Sequence, residues 1–120
     1  MDYQTHRYKL MTNLSSNFVF NLALREMNRL YEKMINNIQQ KQDFSLMAPM
    51  HTNLSGLKAL VCNHGYEGTK IMRELCGAMG FHKNSGIPEC IGCASPLVTL
   101  EGDSVVMNLQ TARALLKNGR

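Results

Sequence analysis

The sequence predicts an all-α fold of three helices, two long and one shorter. Three observations carry that reading. From Met11 to Gln40 there is neither proline nor glycine, and apolar residues recur at Phe20, Leu24, Met27, Tyr31, Met34 and Ile38, alternating steps of four and three. A second stripe in the same rhythm runs through Met50, Leu54, Leu57, Val61, His64, Gly68, Ile71 and Leu75. Nine methionines and no tryptophan suit an adaptable helical core.

The first helix presents one apolar stripe to a neighbour and leaves Arg25, Asn28, Lys33 and Asn37 on a solvated face. Gln39 to Pro49 interrupts it. Asp43 and Ser45 favour a turn, and Pro49 suits the start of the second helix. His64 and Gly68 are the odd members of the second stripe. A glycine inside a helix costs about 1 kcal/mol relative to alanine, so Gly68 implies close approach by another group, and His64 reads as a satisfied packing residue. Gly77 and Gly80 are candidate left-handed caps for the end of this helix. Phe81 to Thr99, punctuated by Gly86, Pro88, Gly92 and Pro96, reads as a long ordered loop, of the kind that is usually functional. The third helix starts at Asp103 or Ser104, either of which can cap it, and carries a stripe of Val105, Leu109, Ala112 and Leu116. Lys117 and Arg120 suit its C-terminal end.

A chain of 120 residues fits one domain at most. The net charge of +4 comes from scattered basic residues rather than a cluster, which argues against a nucleic-acid partner. No apolar run approaches the roughly 18 residues of a membrane span, and the polar first ten residues give no signal peptide. A reducing compartment follows, with Cys62, Cys76, Cys90 and Cys93 as free thiols.

Four local motifs bear on chemistry. Glu101 and Gly102 lie where the long loop meets the third helix. There Glu101 is either an ordinary first-turn acid near the helix dipole or a general base delivered by a loop, with Gly102 leaving room for another molecule. Cys76-Gly77-Ala78-Met79-Gly80-Phe81 is a glycine turn after a long helix and carries no dinucleotide fingerprint. Cys90-Ile91-Gly92-Cys93 has the spacing of half a zinc or redox site; no second pair accompanies it, and no metal is expected. Tyr66-Glu67-Gly68-Thr69 matches the tetrapeptide that bears the catalytic glutamate in many acyl-CoA dehydrogenases, yet it precedes the glycine turn instead of following it. Glu67 is therefore read as a surface or interface residue.

The order of segments resembles that of the acyl-CoA oxidases, within the acyl-CoA dehydrogenase/oxidase superfamily. Asp2-Tyr3-Gln4-Thr5 with Tyr8-Lys9-Leu10 looks like the opening of the flavin-domain helix. Gln42-Asp43-Phe44-Ser45, then Leu54-Ser55-Gly56-Leu57-Lys58-Ala59, is similar to the segment joining that helix to the next. Glu74 to Phe81 falls at the family's Cys-Gly-Gly-His-Gly-Tyr turn. Ser85-Gly86-Ile87-Pro88, Thr99 to Met107 and Leu109 to Arg113 complete the series, which covers nearly the whole chain. Ala78, Met79 and Leu100 depart from the family's glycine, histidine and aromatic residue.

The resemblance implies an antiparallel helical bundle, part of the family's C-terminal domain, and a peroxisomal flavoenzyme that oxidises acyl-CoA to trans-2-enoyl-CoA, with FAD as cofactor and oxygen as electron acceptor, releasing hydrogen peroxide. It implies Glu101 as the base that removes the α-proton. It implies Gly77, Ala78 and Gly80 against the flavin through their backbone, Gln4 near the cofactor of a partner subunit in a homodimer, and Gly102 and Asp103 beside the flavin. An acyl-CoA dehydrogenase passing electrons to an electron-transfer flavoprotein, and a non-catalytic helical interaction module, are the alternatives. The family's N-terminal helical domain, β-domain and second helical domain have no counterpart in the sequence, and the chain does not end in Ser-Lys-Leu. Residues 1–120 are accordingly expected to be part of a longer protein and, alone, neither to hold FAD nor to turn over substrate.

Overall fold

A computed structural model describes residues 3–118. Asp2 of the opening motif, and Gly119 and Arg120 at the other end, lie outside the described residues. Four α-helices follow one another: α1 (Gln4–Lys41), α2 (Met47–Leu75), α3 (Ile87–Leu97) and α4 (Ser104–Asn118). Two 3₁₀ turns, Gly77–Phe81 and Lys83–Ser85, join α2 to α3. No described residue is in a strand, and no described helix is long and apolar enough to cross a membrane.

α2 is the central element, with α1, α3 and α4 all packed on it. Its pairing with α1 is antiparallel. His6 Nε2 meets the Leu75 carbonyl at 3.1 Å, Asn13 Nδ2 donates to the Gly68 carbonyl at 3.2 Å, and the Phe20 and His64 rings meet edge-on with centroids 5.0 Å apart. Gly68 earns its place here, because a Cβ on it would lie 2.7 Å from Asn13 Oδ1. The close approach inferred from the sequence is thus a side chain of α1. His64 packs as expected, but its buried Nε2 has no hydrogen-bond partner among the described residues. α4 also runs antiparallel to α2: His51 Nε2 meets Gln110 Oε1 at 2.9 Å, and Thr111 Oγ1 donates to the Thr52 carbonyl at 3.4 Å.

Two readings of the sequence are corrected. The stretch 81–99 is not a loop, because α3 occupies Ile87–Leu97. Its apparent breakers are tolerated. Pro88 lies in the first turn, where its missing N–H has no partner to lose, and Pro96 lies in the last turn, where its carbonyl accepts from the N–H groups of Thr99 and Leu100. Ile87, Ile91, Ala94 and Val98 form the half-buried stripe that faces inward. Packing on α2 overrides the poor propensity.

The stripe assigned to the last helix is also reversed. Val105, Leu109, Ala112 and Leu116 are exposed, and α4 turns Ser104, Met107, Thr111 and Ala114 inward. The fit of Thr111 against Gly56, whose Cβ would lie 3.3 Å away, fixes that orientation. On α1, Leu24 and Tyr31 likewise face outward while Ala23 and Leu30 turn in.

These outward stripes leave a chain of unusual shape. It exposes 9106 Å², against about 6,500 Å² for a compact monomer of its mass. Its radius of gyration is 18.2 Å, against about 14 Å for a compact domain of this length. Among the described residues the buried apolar side chains are Met34, Met50 and Ala59. Met11, Leu14, Phe18 and Leu22 line the outer side of α1, and Val105, Leu109 and Leu116 that of α4, all at least half exposed.

Two predictions arise from the turns. A Cβ on Gly80 would collide with the backbone carbonyl of Arg73, which cannot swing aside as a side chain can. Gly80→Ala is expected to destabilise the chain by about 1–3 kcal/mol, read as a lower thermal midpoint in circular dichroism. Between α1 and α2, Asp43 Oδ1 accepts the Ser45 N–H at 2.9 Å. That bond holds the carboxyl below its ordinary value of 3.8. With the folded value depressed, the carboxylate's contribution is complete above the unfolded value and is lost as pH falls through the folded one. Asp43→Asn is therefore expected to lower the thermal midpoint at pH 6, with the gap to the parent chain narrowing as pH falls below the ordinary carboxylate range; an undiminished gap at low pH contradicts this.

Candidate functional site

The turn between α3 and α4 holds the residue singled out by sequence. Glu101 has φ +55° and Gly102 φ +113°. A left-handed glutamate is uncommon, and such strain, of order 1–3 kcal/mol, persists only where the surroundings impose it. The surroundings here are specific. Lys58, half-buried on α2, donates from Nζ to the carbonyls of Val98, at 3.4 Å, and Gly102. These two carbonyls bracket Thr99, Leu100 and Glu101. Hydrogen bonds from a charged donor contribute roughly 1.5–3 kcal/mol, enough to offset the strain. Ser104 Oγ also approaches the Val98 carbonyl at 3.5 Å, and Asp103 Oδ1 accepts the Val105 N–H at 2.7 Å. Asp103 is thus the residue that caps α4, satisfying one of its free N–H groups.

The Glu101 side chain itself is exposed. Among the described residues its carboxylate accepts no hydrogen bond, and the ion pairs are Glu26–Arg29 and Glu67–Lys70. A carboxylate on a rigid turn, with no cation to satisfy it, is free to take a proton from a bound molecule. A Cβ on Gly102 would meet the flexible end of Met107, and it is the φ of +113° that favours glycine there.

The other sequence-singled residues lie elsewhere. Gly77 (φ +55°) and Ala78 are exposed on the 3₁₀ turn beyond α2, and a Cβ on Gly77 would meet nothing within 4 Å. Gly80 is buried against Arg73. Gln4, the first residue of α1, is exposed at the same end of the molecule, two residues before His6 and its bond to Leu75. Gln4, Gly77, Ala78 and Gly80 therefore gather at the C-terminal end of α2, while Glu101, Gly102 and Asp103 sit over Lys58. The stretch of α2 from Lys58 to Leu75 is about 25 Å long at 1.5 Å per residue. The predicted site is two clusters and not one.

Glu67 lies exposed on α2, paired with Lys70 at 2.6 Å, and that hydrogen bond raises the Lys70 ammonium above its ordinary value. Cys90 and Cys93 are exposed on α3, and no group of three metal-binding side chains occurs among the described residues. Lys58 is the residue sequence reasoning passed over. The signal was a single charge set among Leu57, Ala59, Leu60 and Val61, on a part of α2 otherwise given to packing.

Residues 1–116 match the model of the family described as acyl-CoA oxidase, C-alpha1 domain. The chain belongs to the acyl-CoA oxidase C-alpha1 family. It is 32% identical over 118 residues to peroxisomal acyl-coenzyme A oxidase 2 of Rattus norvegicus, an alignment covering 98% of this chain and 17% of the relative. It is 36% identical over 117 residues to peroxisomal acyl-coenzyme A oxidase 1 of the same organism, covering 98% of this chain and 18% of that one. The fold superimposes on acyl-CoA oxidase-1 of Caenorhabditis elegans, solved in complex with FAD and ATP, with a TM-score of 0.91 and 35% identity, over 97% of this chain and 18% of that one. It superimposes on acyl-CoA oxidase 1 of Arabidopsis thaliana with a TM-score of 0.89 and 33% identity, over 98% of this chain and 18% of the other. The all-α reading and the family resemblance both hold. The chain spans less than one fifth of the length of these oxidases.

Proposed function

We propose that this chain is the base-bearing helical segment of a peroxisomal acyl-CoA oxidase, which converts acyl-CoA to trans-2-enoyl-CoA in fatty acid β-oxidation. One observation carries the reading: Glu101, unpaired among the described residues, stands on a left-handed turn that α2 holds through Lys58. An ordinary first-turn acid needs neither feature. The kinship with peroxisomal acyl-CoA oxidases along 98% of the chain supports the same role.

In this reading the Glu101 carboxylate removes the α-proton of the thioester, and the bond electrons pass toward the carbonyl. The turn fixes the direction of approach. FAD, when bound, would supply the acceptor for the β-hydride and the route of its electrons to oxygen, with hydrogen peroxide as the product. The residues present fit that cofactor at two places. Gly77, with open space where a Cβ would stand, and its exposed neighbour Ala78 offer bare backbone, and Gln4 offers an amide beside them. Glu101, Gly102 and Asp103 form the face nearer the reacting carbon. A flavin ring is far shorter than the 25 Å or so of α2 between the clusters, so Gln4, Gly77 and Ala78 are assigned to the dinucleotide of a partner subunit in a homodimer. Gly80 supports their turn from within.

The large exposed surface supports reading residues 1–120 as part of a domain. The excess over a compact monomer, about 2,600 Å² on the same size scaling, matches the extent of an obligate interface. The outer stripes of α1 and α4 would then be covered by other parts of the oxidase. The test is a chimeric holoenzyme in which residues 3–118 replace the matching segment of the rat oxidase 1. Flavin binding with peroxide formation on acyl-CoA, without added electron acceptor, supports the reading. A flavin-loaded chimera that reduces an electron-transfer flavoprotein but not oxygen places the segment in the dehydrogenase branch. A flavin-loaded chimera with neither activity leaves it a helical module without catalysis.

A further inference from the structure

We propose that Lys58 is a positioning residue for the reaction: it sets the direction of the Glu101 carboxylate by stapling both ends of the turn that carries it. This rests on the reading of Glu101 as the base. Lys58 comes from the middle of α2, more than forty residues before the turn in sequence, and its ammonium donates to the carbonyls of Val98 and Gly102. One carbonyl lies three residues before Glu101 and the other directly after it. The backbone of Glu101 is thereby held at φ +55°, a conformation a free glutamate leaves readily.

The location of the charge matters as much as its bonds. The Lys58 ammonium is directed at backbone oxygens, and no Lys58–Glu101 ion pair occurs among the ion pairs of the described residues. A cation paired with the carboxylate would stabilise its charged form and weaken it as a base. A cation spent on the flanking carbonyls fixes geometry and leaves the carboxylate available. The remaining supports of the turn do not duplicate this. The Leu100 N–H donates to the Pro96 carbonyl at 2.8 Å, ordering the end of α3, and Asp103 caps the start of α4. Neither spans Glu101; the contact of Ser104 Oγ with the Val98 carbonyl at 3.5 Å does, but it ties the turn only to itself, whereas Lys58 ties both flanks to the central helix. Lysine suits the task because three N–H donors on one nitrogen can serve two carbonyls at once.

Three variants of the chimeric holoenzyme test the proposal: Lys58→Met, which keeps the apolar stem without donors, Lys58→Arg, which keeps a cationic donor, and Glu101→Gln. Each is measured for flavin content, kcat, KM and hydrogen–deuterium exchange of the peptide 98–104. Lys58→Met is expected to retain flavin, to exchange faster in that peptide alone, and to lose about 10- to 100-fold in kcat with KM within about twofold, as misplacement of a reacting group does. Lys58→Arg is expected to recover most of both. Exchange in 98–104 unchanged in Lys58→Met overturns the staple. Faster exchange with kcat unchanged, while Glu101→Gln is inactive, overturns the positioning role and leaves the base in place. A fully active Glu101→Gln overturns both. Should Lys58→Met fail to load flavin, Lys58→Gln, with a neutral donor, is read by the same criteria. Loss of kcat in Lys58→Gln without faster exchange counts against the proposal.

Discussion

Replacing Glu101 with glutamine in the chimeric holoenzyme is expected to lower turnover by about 10²- to 10⁴-fold, the range a positioned general base contributes. Glutamine keeps the size of the side chain and removes its capacity to take a proton. Glu101 is exposed and makes no hydrogen bond among the described residues, so the substitution leaves no buried partner unsatisfied and should spare the fold. Flavin content and KM are therefore expected to stay near the parent values while kcat falls. Glu67 provides the control. It lies on the surface of α2 in an ion pair with Lys70, and exposed pairs of this kind contribute little. Glu67→Gln is expected to leave kcat within about twofold of the parent. A reversal, with Glu67→Gln inactive and Glu101→Gln active, transfers the role to the other glutamate.

The second large effect concerns the chain by itself. Purified residues 1–120 are expected to be colourless, helical and associated, with no turnover of acyl-CoA. The cause is the disproportion between core and surface. Among the described residues Met34, Met50 and Ala59 are the buried apolar ones, while Phe18, Val105, Leu115 and Leu116 are each more than 60% exposed. Apolar patches well beyond a few hundred Å² seek a cover. Gly77 and Ala78 present backbone on one side only, so no described element closes over a bound dinucleotide from the other. Size-exclusion chromatography with light scattering and the flavin absorbance spectrum check both points. A monodisperse 13.5 kDa monomer carrying stoichiometric flavin contradicts them.

Much of the fold was legible because helix periodicity is strong where helices are long. The Phe20–Met27–Met34 side of α1 and the Met50–Leu57–Val61 side of α2 pack as their spacing requires. α3 was hidden because Pro88, Gly92 and Pro96 carry the local signals of a loop, and only packing on α2 makes the helix worth forming. The orientation of α4 was misread because Val105, Leu109 and Leu116 look like a core stripe. They are apolar, yet Thr111 and Ala114 fit α2 more closely, and a stripe awaiting another surface has the same pattern as one already buried. The place of Glu101, on the turn just before the last helix, was legible in the sequence. Its left-handed backbone and its dependence on Lys58 were not, because hydrogen bonds to carbonyls leave no trace in residue type. The separation of the glycine turn from Glu101 was hidden for a related reason: the folded path of α3 back along α2 decides it.

Exchange of the acyl α-hydrogen bears most directly on Glu101. An acyl-CoA analogue with sulfur at the β-position has no hydride to give, so only the proton-transfer step remains. Deuterated at the α-carbon and bound to the chimeric holoenzyme in ordinary water, it is expected to lose deuterium to solvent through the Glu101 carboxylate. With Glu101→Gln, flavin and analogue both bound, that loss is expected to fall by at least about 10²-fold. Undiminished exchange in Glu101→Gln would contradict the assignment of Glu101 as the base.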